Sequence, residues 1–279
     1  MENRSFREKR PYEKAKKPMR PGGENEQPAL KENPDMIIGR NAVSEALASG
    51  RPIDSLFVSK GEKNGSLGRI IKEAKDKNIV IKEVETAKLD SMCREANHQG
   101  VICFAAAHEY ADIDDMFRLA QERNEEPFII ILDELEDPRN LGAIVRTAET
   151  AGAHGVIIPK RRSASLSFSV AKTAAGALEY VPVARVANLP GTIDDLKKRG
   201  LWIYGADMDG TCWCQQDYKG AVGLVIGSEG NGIGRLVKEK CDFIVSLPMK
   251  GKITSLNASV AAGILMYEIS RQKSDIKAK

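Results

Sequence analysis

Beyond residue 35, apolar residues fall into two alternating rhythms. Short runs rich in Val and Ile and poor in charge, such as 128–132, 155–158 and 222–227, have the pattern of parallel strands buried on both faces. Between them, apolar positions recur at helical spacing. In the front part the pattern predicts helix 39–48, strand 53–58, helix 67–77, strand 79–82, helix 86–92 and strand 101–106. A linking helix over 111–123 ends at the break Asn124-Glu125-Glu126-Pro127. Further strands are expected at 128–132, 155–158, 181–186, 201–205, 222–227 and 242–247. Helices are expected at 138–151, 167–175, 192–198, 233–240 and 255–271. This is the signature of an α/β protein: a C-terminal open parallel sheet covered by helices on both faces, preceded by a smaller α/β unit. The expected divisions are a tail 1–35, a front domain 36–108, a linker 109–127, a main domain 128–272 and a flexible end 273–279.

Composition adds little except at the N-terminus. A chain of 279 residues with 42% hydrophobic and 29% charged residues is ordinary for one or two globular domains. The formal charge is only +3, but residues 1–20 hold Arg4, Arg7, Lys9, Arg10, Lys14, Lys16, Lys17 and Arg20 against Glu2, Glu8 and Glu13. With Pro11, Pro18, Pro21, Gly22 and Gly23 beside them, these residues have little to bury and should be disordered. Such a tail either binds a polyphosphate through counterion release or simply solubilises the chain. No apolar run is long enough to span a membrane, and no secretory leader is evident, so a cytoplasmic location is expected. Five cysteines and three histidines argue against a disulfide framework. Cys212-Trp213-Cys214 lacks the partners for a structural zinc site, so no metal is expected.

Three segments follow predicted strands, where open α/β sheets bind their ligands. In the first, Asp137 can cap a helix and Pro138 fits its first turn. Asn140 either serves that cap or turns to a ligand. Arg146 sits among Ala143, Ile144, Val145 and Ala148. It either pairs with Glu136 or Glu149, or clamps a phosphate through its planar fork. The second segment, Gly227-Ser228-Glu229-Gly230-Asn231-Gly232, permits positive φ and close backbone approach. It lacks both the Walker and the dinucleotide signatures. Glu229 can present a carboxylate to a partner; Ser228 or Glu229 could instead cap the next helix. In the third, Pro248, Met249 and Gly251 form a turn before Ser255, Leu256 and Asn257. Ser255 is the natural cap of a buried helix, in which Asn257 must find partners. In the front unit, His98-Gln99-Gly100 reads on composition as a plain turn.

In this order and spacing, Asn140 with Arg146, Gly227 with Glu229 and Gly230, and Pro248, Met249, Gly251, Ser255, Leu256, Asn257 and Ser259 resemble the SpoU (TrmH) family of RNA ribose 2′-O-methyltransferases. The front unit resembles that family's L30e-like substrate-binding domain, which carries the same tripeptide as His98-Gln99-Gly100. The resemblance implies a SPOUT-type fold with a trefoil knot, S-adenosyl-L-methionine as cofactor, and a homodimer with its active site near the subunit interface. It implies cofactor contacts at Ile226, Gly227, Leu247, Met249 and Leu256. Catalytic roles pass to Arg146, Asn140, Glu229, Ser255 and Asn257, with Arg146 as the proposed proton acceptor. RNA contacts pass to Arg146, His98 and Gln99, and the basic tail joins them on charge. The closest type methylates a guanosine of 23S ribosomal RNA, with transfer RNA as another substrate. From the motifs without the family, a non-catalytic RNA-binding or ribosome-assembly module is the competing reading.

Overall fold

The computed structural model describes residues 35–61, 65–93 and 96–274. The basic tail, Arg4 to Lys17 included, and residues 275–279 lie outside the described residues. The front unit holds β1 (Met36–Ile38), α1 (Arg40–Ala48), β2 (Ile53–Ser59), α2 (Ser66–Asp76), β3 (Val80–Val84), α3 (Thr86–Cys93) and β4 (Val101–Ala105). Its four-stranded sheet runs β1-β4-β2-β3. Both neighbours of β4 are antiparallel to it, and β2 pairs with β3 in parallel. Three-residue β1 is too short to show a rhythm and escaped the pattern.

The second sheet uses β5 (Phe128–Leu132), β6 (Gly155–Pro159), β7 (Val183–Val186), β8 (Trp202–Cys212), β9 (Val222–Ile226) and β10 (Phe243–Ser246). All are parallel, in the order β10-β8-β9-β5-β6-β7. Every residue of β5 is buried because each face has its own core. Phe128, Ile130 and Leu132 share a core with α5 (Pro138–Thr150), α6 (Phe168–Ala174) and α9 (Ala258–Lys273). Ile129 and Ile131 meet α4 (Ile113–Arg123) and α7 (Leu189–Lys198) on the other side. Two-sided burial is why the run reads as continuously apolar.

Three expectations are corrected. The helix expected to link the units instead covers the sheet: Met116 of α4 is fully buried and would collide with any Cβ on Gly155, at 2.4 Å. Strand β8 does not end at Gly205. Its pairing with β10 jumps from Ile244↔Gly205 to Val245↔Thr211, a bulge that carries the strand on past a turn-like Asp207-Met208-Asp209-Gly210. Finally, α9 opens at Ala258 rather than Ser255. Asn257 is its cap, accepting from the amides of Ser259 and Val260. No described helix is long and apolar enough to cross a membrane.

The two units share a joint. Ala107 N–H donates to Leu166 O at 2.6 Å and Ala111 N–H to Val183 O at 2.9 Å. Asp54 of β2 is ion-paired with Arg185 of β7 and accepts from the Tyr110 hydroxyl at 3.1 Å. Burial pushes the Tyr110 phenol up to about 12, so it stays protonated as a donor.

Candidate active site

The strand order fixes where a ligand can bind. Strand β5 leads toward β6 on one side, while its neighbour β9 leads past β8 to β10 on the other. The loops leaving their carboxyl ends therefore diverge, opening a crevice at the switch point of the sheet. Asn140, in the first turn of α5, and Glu229, just after β9, face each other across it.

The three sequence segments close into one hydrogen-bonded triangle. Asn140 Nδ2 donates to Glu229 Oε1 at 3.0 Å. Asn257 Nδ2 donates to Asn140 Oδ1 at 3.0 Å and to Glu229 Oε1 at 2.5 Å. The Ala258 amide, first in α9, adds a third bond to that carboxylate oxygen at 3.2 Å. A carboxylate at a helix N-terminus is favoured by the helix dipole. Asn140 is not a cap: Asp137 accepts the Arg139 amide and fills that role. Nor do Ser228 and Glu229 cap the next helix, α8 (Arg235–Lys238), whose capping residue is Gly234.

Glycine chemistry shapes the second loop. Ser228 and Gly232 exchange both backbone hydrogen bonds, at 3.0 and 2.9 Å, folding the loop back onto Gly227. A Cβ at Gly227 would lie 2.1 Å from the carbonyl carbon of Gly232, so only glycine fits. Asp133, at the end of β5, anchors the far side of the loop by accepting the Gly234 amide at 2.7 Å. Burial raises the Asp133 carboxyl above its ordinary range. Sequence reasoning passed over Asp133, although an acid directly after a fully apolar strand was a usable signal.

Beside the triangle lies a cavity of about 270 Å³, just below the roughly 300–1,000 Å³ of small-molecule sites. Ile226, Gly227, Leu247, Met249 and Leu256 all line it, together with Glu229 and Ser255. Ala206, Asp207 and Met208 form a further wall; they were missed because β8 was expected to stop at Gly205. An apolar wall with backbone groups at one end suits a nucleoside-bearing ligand. A smaller polar cavity adjoins it, lined by Asn140, Glu229 and the loop after β5.

Not every expected residue joins this cluster. Arg146 is exposed on α5, lines neither cavity, and has no ion pair or hydrogen-bonding partner for its guanidinium among the described residues. The expected alternatives, Glu136 and Glu149, do not hold it. Ser255 is exposed at the cavity mouth. In the front unit, His98 is buried. Its Nδ1 accepts the Gly100 amide at 2.9 Å and its Nε2 meets Asp90 at 3.0 Å. His98 thus holds the turn, while Gln99, at φ 51°, is exposed and bonds the Arg40 amide through Oε1 at 3.0 Å.

Known proteins carry the same two-part plan. Residues 127–267 match the SpoU rRNA methylase family, and residues 36–111 match the RNA 2′-O ribose methyltransferase substrate-binding family. A Bacillus subtilis protein named YacO, of the TrmH family of tRNA/rRNA methyltransferases, is 50% identical over 87% of this chain and 97% of its own. The chain belongs to the SpoU rRNA methylase family. A Staphylococcus aureus (strain MSSA476) member of the TrmH group is 46% identical over 86% of this chain and 97% of its own. Among solved structures, the SpoU methyltransferase AviRb from Streptomyces viridochromogenes, in complex with the cofactor AdoMet, superposes with TM-score 0.55. It is 23% identical and covers 86% of this chain and 90% of its own. The fold is therefore of the SPOUT type, and membership in the family makes the protein an RNA methyltransferase.

Proposed function

We propose that this protein methylates a ribose 2′-hydroxyl of structured RNA, on a guanosine of 23S ribosomal RNA, and that the crevice between β5 and β9 is its active site. The closing of Asn140, Glu229 and Asn257 into one triangle beside an apolar cavity carries this reading. S-adenosyl-L-methionine, the methyl donor of the family, supplies an electrophilic methyl group on a sulfonium. The cavity residues fit it: Ile226, Leu247, Met249 and Leu256 offer apolar contact, and Gly227, folded tightly against Gly232, lines the wall with backbone alone. The triangle holds the three loops in register, so the cavity wall is preorganised before RNA arrives. The trefoil knot of such folds belongs to the same reading.

Arg146 is assigned to the RNA. A guanidinium keeps its proton at any pH near neutrality, with a pKa above ~12, so removing the hydroxyl proton is not its task in our reading. Its planar donors suit a phosphate flanking the target ribose, which would orient the hydroxyl. Thr147, the next residue, packs under Gly263 of α9, with 3.8 Å from its methyl to where a Cβ would stand. The outer face of that helix carries the exposed Val260, Ile264 and Tyr267, and Leu256 is exposed just ahead of its cap. We assign this face to a second copy of the chain, which brings Arg146 to the rim of a shared site. The basic residues 1–20 are assigned to RNA phosphates on charge alone. Transfer RNA is a second reading, favoured by the tRNA/rRNA wording of the relatives' names.

The test pairs two measurements on Arg146→Ala. Tritiated-methyl transfer to RNA should fall at least a hundredfold, while calorimetry finds cofactor affinity within about threefold of wild type; such losses fit removal of one positioning group. Full activity in the variant would remove Arg146 from the site. Failure of the wild-type protein to bind S-adenosyl-L-methionine would favour the non-catalytic RNA-binding module.

A further inference from the structure

A second cleft, of about 300 Å³, opens where the front unit meets the parallel sheet. One wall is β3 at residues 80–82, the other is the loop 159–165 leaving β6, and Asp54 and Arg185 lie between them. Five cations and one carboxylate line it: Lys82, Lys160, Arg161, Arg162, Arg185 and Asp54. Two of the cations are already satisfied. Arg185 pairs with Asp54 and stacks on Tyr110 at 4.6 Å, and Arg162 pairs with Glu134 at 2.9 Å. The other three are not. Lys160 and Arg161 have no side-chain partner among the described residues, and Lys82 has only the Phe57 ring beneath it, at 5.0 Å. Uncompensated charges of one sign in a concave site focus the potential and attract a polyanion.

The lining also says which part of a polyanion fits. It contains no Phe, Tyr or Trp, so no platform exists for stacking a base. The Phe57 and Tyr110 rings lie against Lys82 and Arg185 but outside the lining, so the ammonium and guanidinium groups are what remains to grip phosphate oxygens and set register. The cleft is wired to the active site. Ala164 N–H donates to Leu135 O at 2.7 Å. The Arg162–Glu134 pair joins two residues that both hold left-handed backbones, at φ 53° and 52°. Both bonds reach the loop after β5 that leads directly into Asn140. The two loops leave adjacent parallel strands on the same sheet edge.

We propose that this cleft holds the phosphodiester backbone of the substrate RNA through Lys82, Lys160 and Arg161, bridging the two units and leading the strand to the crevice at Asn140 and Glu229. The assignment rests on the RNA methyltransferase reading and adds to it a docking path that includes the β6 loop. Arg162 acts as a positioning residue, fixing that loop to the site loop through Glu134.

The experiment compares the full-length wild type with a Lys82→Gln, Lys160→Gln, Arg161→Gln variant. A Lys198→Gln, Lys219→Gln variant, which removes charge from distant surfaces, serves as control. Ribosomal RNA and transfer RNA purified from cells lacking the gene are the two probes. Filter binding across a salt series reads the contacts, and tritiated-methyl transfer reads KM and kcat. At about 0.7–0.9 of a log unit in salt slope per phosphate contact, the triple variant should lose roughly 2 from its slope. KM for the accepted RNA should rise about tenfold or more, with the loss falling far less on kcat. Far-ultraviolet circular dichroism and S-adenosyl-L-methionine affinity should match wild type. A slope and KM equal to the control's would overturn the proposal. If wild type binds RNA with the cleft-dependent slope yet transfers no methyl group, the cleft stands and the enzymatic reading falls.

Discussion

At the scale of single residues, Glu229 does the most with the least burial. One of its carboxylate oxygens accepts from Asn140, Asn257 and the Ala258 amide, so it joins the loops after β5, β9 and β10. Truncation to alanine leaves three donors short of a partner, at a stability cost of about 1–2 kcal/mol given that the site is partly wet. The larger expected effect is on the cavity. Glu229→Ala should weaken S-adenosyl-L-methionine about tenfold or more, equal to at least ~1.4 kcal/mol. Glu229→Gln, which keeps an acceptor oxygen, should lose clearly less. Calorimetry with urea unfolding on both variants decides it, and equal losses in the two would mean that charge, not the hydrogen-bond geometry, holds the loops. The residue types of this triangle were readable in the chain. What could not be read was that Asn140 and Asn257 choose Glu229 over local capping, because that choice depends on loops distant in sequence.

At the scale of elements, legibility followed burial. Strands β5 and β9 were visible as uncharged runs rich in Val and Ile because both sheet faces are covered. Strand β8 was cut short because its bulge holds Asp207 and Asp209, whose carboxylates pair with Lys238 at 3.0 and 3.7 Å. Helix α9 was started too early because Ser255 and Asn257 are both good capping residues, and the structure uses the second. The start of β5 carries a device that pattern does not reveal. His154 is fully buried; its Nδ1 accepts the Phe128 amide at 3.0 Å while Nε2 meets Glu125 at 3.0 Å. Accepting through Nδ1 requires the neutral ring. Burial, the dominant influence, lowers the imidazole pKa below its ordinary 6.5, with Glu125 opposing. The unfolded chain then binds the extra proton first. Stability from this group is complete above about pH 6.5 and drains away as the pH falls through the folded-state value. The thermal midpoint should therefore drop between pH 7 and pH 5. His154→Gln should start lower and lose less over that interval. An identical pH slope in the variant would show that His154 is not the group responsible.

At the scale of the whole molecule, the unresolved balance is between a free cation and an uncovered apolar stripe. Helix α9 buries Ala262, Leu265, Met266 and Ile269 against the sheet, yet it also exposes Val260 and Tyr267 by about half, at 50% and 53%, and Ile264 by 38%, with Leu256 just ahead of the helix at 37%. Scattered exposed hydrophobics are ordinary, but a row repeating at helical spacing beside the exposed Met249 and Ile253 marks a contact surface. Arg146 stands next to that seam without a partner of its own. Both observations are met at once if two copies pair through α9, since a two-fold interface sets each copy's surface against the same surface of its mate. Val260→Glu combined with Ile264→Glu should then sediment as a monomer at concentrations where wild type is a dimer. Its methyl transfer should fall by at least a factor of a hundred, although Arg146, Glu229 and the cavity are untouched in sequence; misplacement of one catalytic group suffices for such a loss. If the double variant instead remains a dimer with full activity, α9 is not the interface, and Arg146 has to reach the ribose from within its own subunit.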